Sequence, residues 1–123
     1  MFTREAGQTV RILKHLASPE VFTSGTNAMA IQKELGIPGI LLRGILRRLT
    51  VAGIVHSKRG RTGGVNLGEK ALALSVLDVL DATDTGKGCN PGTPGDPVDE
   101  LFAKARAKAR EVLAGITVAQ LVG

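Results

Sequence analysis

Arginine side chains that could bind a polyanion are concentrated in the middle of this 123-residue sequence. Arg43 and Arg47 are separated by one helical turn, and Arg48 follows directly. A guanidinium group donates paired hydrogen bonds to phosphate oxygens and to base edges such as that of guanine. A second group of polar and basic residues lies further along, at Lys58, Arg59, Arg61 and Thr62. The residue types and their spacing predict a surface that binds a polyanion.

The distribution of charge supports this prediction more strongly than the net charge of +5 does. No Asp or Glu occurs between Gly36 and Gly68, whereas seven acidic and two basic residues occur between Glu69 and Glu100. A basic stretch without compensating acids is typical of proteins that bind nucleic acids. Charge by itself also fits an ordinary solvated surface, so both interpretations stay open here.

The composition excludes several classes of protein. Trp and Tyr are absent and three Phe are present, so a single core of aliphatic side chains is expected. No apolar run approaches the roughly 20 residues that span a bilayer, so we expect a cytoplasmic protein with no membrane partner. The lone cysteine, Cys89, forms no intramolecular disulfide and fits a reducing compartment. The sequence contains no nucleophile–base pair or P-loop, so neither an enzyme nor a small-molecule substrate is predicted.

Helices are predicted on both sides of the first basic group. A first helix spans 4–17, and a loop follows over 21–25. Asn27 is a suitable N-cap for a second helix, which Gly36 ends. Pro38 suits the first turn of a third helix.

The third helix has two contrasting sides. Leu42, Ile45, Leu46 and Leu49 form its predicted buried stripe. The opposite side carries Ile40, Arg43, Gly44 and Arg47. Two short helices around a tight turn that contains glycine are typical of a helix-turn-helix, whose second helix reads bases.

Two short strands are predicted after this helix, over 54–58 and 65–67. The segment 59–64 between them contains three glycines, which permit the positive φ angles of a tight hairpin. Ser75 and Asp78 then form a capping box for a short helix that ends at Asp84.

The C-terminal part combines an irregular loop with a long helix. Residues 85–98 contain four glycines and three prolines, after which Asp96 caps a helix and Pro97 occupies its first position. The apolar residues of this helix follow a 4-3-4-3 spacing, which predicts a coiled-coil-like dimerisation seam. The seam consists of Val98, Phe102, Ala105, Ala109 and Val112, with Leu101 and Leu113 beside it. Thr117 and Gln120 form a further capping box for a closing turn.

This order of elements resembles the Rrf family (Rrf-two) of bacterial transcription regulators. The similar segments are LTVAGIVHSKRGRTGGVNL over 49–67, SVLDVLDATD over 75–84 and ITVAQLV over 116–122. The resemblance implies a mainly α fold with a small β-hairpin, in which a winged helix-turn-helix domain occupies 1–84. A loop over 85–97 then leads to a dimerisation helix and closing turn over 98–123. It also implies a homodimer that places one recognition helix per subunit in successive major grooves.

Ile40 and Gly44 depart from this family, because the resemblance implies polar base-reading side chains at these positions. Glycine inside a helix costs about 1 kcal/mol relative to alanine. Close approach to DNA, contact of Ile40 with a thymine methyl group and drift at a weakly specific reader all stay open.

Cys89 resembles the first of three cysteines that hold a cluster in some members of the family. The third position falls near Asp96, and a further histidine ligand falls near Asp99. One thiolate does not hold a cluster that takes about four ligands, so no iron–sulfur cofactor and no metal site are predicted. The separated His15 and His56 do not change this. An inert cysteine is favoured over a single-thiol switch at Cys89, and both stay open.

The sequence as a whole predicts a DNA-binding transcription regulator. We expect it to act as a repressor that binds a pseudo-palindromic operator in double-stranded DNA as a homodimer. The alternative is a winged-helix module that binds other proteins and not DNA. Uncompensated charge is usually depleted at the centre of protein interfaces, which favours DNA.

Overall fold

The computed structural model describes residues 4–57, 64–83 and 95–122. As predicted, these residues form a mostly helical fold with a small antiparallel sheet. The elements are α1 (Arg4–Ala17), α2 (Pro19–Ser24), α3 (Ala28–Leu35), α4 (Gly39–Val51), β1 (Val55–Ser57), β2 (Val65–Leu67), α5 (Val76–Thr83) and α6 (Pro97–Ala114). Short 3₁₀ helices occupy Glu69–Ala73 and Ala119–Leu121.

Helix α1 lies at the centre of the core, where Ile12, Leu13 and Leu16 are almost completely buried. These residues recur on one side of the helix, so that α1 packs against α3, α4 and α5 at once. The predicted bounds of α1 are confirmed.

The prediction of a loop over 21–25 was wrong, because α2 extends to Ser24. Pro19 suits the first position of α2, because its φ angle is preset and its missing N–H loses no hydrogen bond there. The negative charge of Glu20 in the first turn interacts favourably with the positive end of the helix dipole. Helix α2 ends at Gly25, which has a φ of +78° and donates its N–H to the Val21 carbonyl at 2.7 Å.

The two helices of the helix-turn-helix begin and end close to the predicted residues. The Asn27 side chain accepts a hydrogen bond from the Ala30 N–H at 2.8 Å, as an N-cap does. Gly36 ends α3 in the left-handed conformation with a φ of +65°. Pro38 lies at the N-cap of α4, one position before the predicted first turn. The predicted stripe of α4 is buried at Leu42, Ile45, Leu46 and Leu49.

The sheet packs against α4 and is joined by hydrogen bonds to Thr26, which lies just before α3. Strands β1 and β2 pair with Val55 opposite Leu67 and Ser57 opposite Val65. Thr26 exchanges two backbone hydrogen bonds with Val65, at 3.2 and 2.6 Å. The sheet therefore lies in a fixed position beside α3 and α4.

The end of the chain returns to the core. The Ser75–Asp78 capping box is present, with N–H to side-chain distances of 3.1 and 3.0 Å. The Val118 N–H donates to the Leu74 carbonyl at 2.9 Å, and the Val118 side chain is completely buried. The closing turn, in which the Thr117–Gln120 capping box also forms, packs against the same core as α1.

Candidate nucleic-acid interface

The outer side of α4 presents two arginines in the orientation that its buried stripe predicts. Because Leu42, Ile45 and Leu49 point into the core, Arg43 and Arg47 are exposed on the opposite side. Neither arginine forms an ion pair with an acidic residue in the part of the chain that the structure describes. Their charges are therefore available to an external polyanion.

Arg43 and Arg47 border a groove between α4 and the sheet. Leu46 and Val65 form part of its apolar lining, and Thr50, Val51 and Ser57 lie along its sides. The predictions from sequence did not include Thr50, Val51 and Ser57. Which residues line this groove depends on how α4 packs against β1. A local sequence pattern does not specify that packing.

Arg48 lies apart from the other two arginines of α4. Its guanidinium group forms an ion pair with Glu5 of α1, and both side chains are partly buried. The groove between α4 and the sheet is lined by Arg43 and Arg47 but not by Arg48. A DNA contact by Arg48 stays a prediction. In the structure, Arg48 joins α4 to α1 through its ion pair with Glu5.

Ile40 and Gly44 lie on the same outer side of α4 as the two arginines. The Ile40 side chain is 88% exposed. A Cβ atom built on Gly44 has one neighbour within 4 Å, the Arg48 Nη2 atom at 4.0 Å. The N-terminal half of this side of α4 therefore carries a projecting apolar side chain, Ile40, and an open position, Gly44, next to cations.

The remaining predicted binding residues lie outside the described residues, namely Lys58, Arg59, Arg61 and Thr62, as does the candidate thiol Cys89. Among the described residues, Ser57 and Val65 are paired at the end of the two strands, and both line the groove beside α4.

Helix α6 has no buried residue. Along its predicted seam, Val98, Leu101, Phe102 and Val112 are between 58% and 64% exposed. Ala105 is also exposed, whereas Ala109 and Leu113 are half-buried. Exposed large apolar side chains grouped in this way are typical of an interaction site on a folded protein.

A helix-turn-helix followed by a two-stranded sheet, with free arginines on its second helix, defines a winged helix-turn-helix DNA-binding protein. The chain belongs to the Rrf2 family, described as iron-dependent transcriptional regulators, whose model matches residues 2–123. The members of this family are transcription regulators and not enzymes, and the chain is accordingly a DNA-binding transcription regulator.

Two proteins from other bacteria are similar to this chain in sequence. Protein aau3 of Rhizobium meliloti is 29% identical over 130 residues, which cover 98% of this chain and 83% of that protein. A Mycobacterium tuberculosis protein named as an HTH-type transcriptional regulator, Rv1287, is 33% identical over 97 residues. That match covers 72% of this chain and 60% of the mycobacterial protein, so the chain corresponds to less than two thirds of this relative's length.

Solved structures with low sequence identity share the fold. IscR of T. potens superposes with a TM-score of 0.80 at 22% identity, covering 99% of this chain and 85% of that one. The global cysteine regulator CymR of B. subtilis superposes with a TM-score of 0.78 at 22% identity, covering 99% of this chain and 95% of that one.

Among the helices of the described residues, none has the length and apolar character that a membrane span requires.

The family description implies iron, and the donor atoms of this chain do not fit an iron–sulfur cluster. The sequence contains one cysteine and two histidines. His15 lies on α1 and His56 on β1. Across residues 4–57, 64–83 and 95–122, no three His, Cys, Asp or Glu side chains are grouped as metal ligands. A cluster takes about four ligands, mainly thiolates.

Proposed function

We propose that this chain is a homodimeric repressor that acts by occupying a pseudo-palindromic operator in double-stranded DNA. The observation that carries the proposal is the placement of Arg43 and Arg47 on the open side of α4, without acidic partners among the described residues. In proteins with a helix-turn-helix, the second helix enters the major groove and its N-terminal half contacts base edges. Arg43 lies in that half of α4.

The exposed seam of α6 supports the dimer. A second copy of α6 would cover Val98, Leu101, Phe102 and Val112, each of which is more than half exposed in one chain. A two-fold axis between the helices presents the same face of α4 twice, which matches two inverted half-sites about 34 Å apart or a small multiple of this distance. Helix α6 is held to α5 by a bidentate ion pair from Arg110 to Asp81, with both N–O distances at 3.0 Å.

Repression follows from occupancy. The DNA-binding face of α4 and the seam of α6 suffice to place a dimer on a promoter and exclude other proteins from it.

We expect selection from a random double-stranded DNA pool to recover a motif with inverted halves. Arg43→Ala should relax the preference at particular base pairs, because bidentate arginine contacts discriminate between bases by about 1–3 kcal/mol each. The matched control is Lys70→Ala, since Lys70 is exposed and follows the opposite end of the sheet from the hairpin. The same motif from both variants would contradict the assignment of α4 as the reading helix.

The donor set also supports a regulator whose signal is not an iron–sulfur cluster. Two subunits together supply one Cys89 thiolate each, and the carboxylates of Asp96 and Asp99 are hard oxygen ligands that substitute poorly for thiolate. Anaerobic reconstitution with iron and sulfide should give no stoichiometric cluster by visible spectrum and iron count. A stoichiometric cluster that disappears in Cys89→Ser would contradict this.

Cys89 is then an inert thiol in our proposal, with a single-thiol switch as the alternative. Reactivity requires a thiolate, which a nearby positive charge such as Lys87 favours. Peroxide treatment should leave operator affinity unchanged. A loss of affinity that Cys89→Ser prevents would instead establish the switch.

A further inference from the structure

Two neighbouring positions on the outer side of α4 have no explanation in the packing of the chain itself. Ile40, in the first turn of the helix, is 88% exposed. Gly44 follows four residues later, so the two positions lie one above the other on the helix surface. The flanking residues on this side are the exposed arginines Arg43 and Arg47.

Gly44 occupies a position where the fold accepts a side chain. A Cβ atom there would lie 4.0 Å from its nearest neighbour, the end of the flexible Arg48 side chain. The φ angle of Gly44 is not positive, and α4 continues through it. By contrast, Gly25 has a φ of +78°, and a Cβ atom there would clash with the Asn66 Oδ1 atom. The fold therefore requires glycine at position 25 but not at position 44, where glycine is less favourable than alanine.

We propose that Ile40 and Gly44 form an apolar reading surface that recognises the C5-methyl group of a thymine in the major groove. This inference rests on the proposed role of α4 as the reading helix. Isoleucine has no hydrogen-bonding group, and the thymine methyl is the apolar feature that base edges display in the major groove. The open position at Gly44 lets the α4 backbone approach the base edges closely enough for Ile40 to make this contact. Arg43 and Arg47 then contact neighbouring bases or phosphates from either side.

Uracil substitution tests the methyl contact directly, because deoxyuridine lacks only the methyl group of thymidine. In the site selected by the wild-type protein, each thymine is replaced in turn and affinity is measured. We expect one position per half-site to lose about fourfold in affinity, from the transfer free energy of a single buried methylene-sized group. The same substitution in both half-sites should cost about fifteenfold on the same basis.

Ile40→Ala should bind the thymine and uracil sites equally. Its matched control is Met29→Ala, because Met29 is 81% exposed but lies on α3. This control should retain the discrimination against uracil. Because both side chains are exposed, neither substitution should disturb the fold, and circular dichroism and melting temperature verify this for each variant.

Gly44→Ala provides a second readout that a purely structural role would not give. The substitution should raise the melting temperature, because alanine favours the helix, while it lowers affinity for the selected site at least tenfold. If Gly44→Ala raises the melting temperature but leaves the affinity for the selected site unchanged, Gly44 does not serve the close approach of α4 to DNA.

The inference fails if wild-type protein tolerates uracil at every position, or if Ile40→Ala keeps the same discrimination. It also fails if Ile40→Ala changes the sedimentation coefficient and not DNA binding, since Ile40 would then contact protein. Failure of the proposed function is distinguishable from these outcomes. If α4 is not the reading helix at all, Arg43→Ala selects the same motif as the wild-type protein. If only the methyl contact is wrong, Arg43→Ala still changes the motif.

Discussion

The outer faces of α4 and α6 both expose large apolar side chains, but in different patterns. On α4, Ile40 is exposed next to Gly44 and two arginines, and the other exposed large apolar residue, Val51, lies at the opposite end of the helix. On α6, apolar exposure continues from Val98 to Val112 along the helix. A single apolar side chain among arginines matches the edge of a base pair, where apolar and polar groups alternate. A continuous stripe matches another helix.

The two helices also differ in how the chain holds them. Helix α4 has four buried residues in the core, whereas α6 has none. The contacts of α6 with its own chain include the Arg110–Asp81 ion pair, which is about half exposed, and the half-buried residues Ala109 and Leu113. Helix α4 is thus fixed by its own chain, whereas most of the large apolar side chains of α6 stay exposed in the single chain, as the proposed dimer requires.

The largest effect is expected when the apolar face of α6 receives a charge. Phe102→Asp removes an aromatic group from the seam and leaves a carboxylate there, which is costly to bury. We expect the dimer to weaken more than about a thousandfold, at about 1.4 kcal/mol per factor of ten. Analytical ultracentrifugation at micromolar concentration should detect monomer.

Ala107→Asp is the matched control for this experiment. Ala107 is exposed on α6 but lies outside the seam, so this variant should remain dimeric. A wild-type monomer at micromolar concentration, or a dimer unaffected by Phe102→Asp, would contradict the assignment of α6.

A smaller effect is expected from the basic residues of the DNA-binding face. If about eight phosphates are neutralised per dimer, the logarithm of affinity should fall with the logarithm of salt concentration with a slope of about −7. Replacing both Arg59 and Arg61 with alanine should flatten this slope to about −4 and weaken binding to all sequences alike.

The cations of α6 provide the control for this measurement. Lys104 and Lys108 are exposed on α6, and replacing both with alanine should leave the slope unchanged. Equal flattening by the two pairs of substitutions would mean that α6 also contacts DNA, and the distinction between the faces would be lost.

The smallest effect is expected from the ion pair that joins the two regions. Asp81→Asn removes the charge that pairs with Arg110 at 3.0 Å. Because both side chains are nearly half exposed, the free energy of unfolding should fall by less than about 1 kcal/mol. Urea denaturation measures this change. A loss of several kcal/mol would indicate that α6 is held by its own subunit more firmly than its exposure implies.

Much of this molecule follows from interactions between residues close in sequence. The Asn27 cap, the Ser75–Asp78 capping box and the Asp96 cap each join groups at most three residues apart, and all three were predicted. The exposure of Arg43 and Arg47 was predicted for a related reason. A helical period fixes which side chains lie opposite a buried stripe.

The sequence by itself thus determined α1 and α3 to α6, the three caps named above and the side of α4 that faces outward, but not α2. Only the tertiary structure decided that Arg48 pairs with Glu5, that Thr26 joins Val65 and that Val118 returns to the core. Each of these contacts joins residues on separate elements. Helical periodicity and capping motifs describe neighbours along the chain, whereas contacts between elements depend on how the elements pack together, which no local pattern specifies.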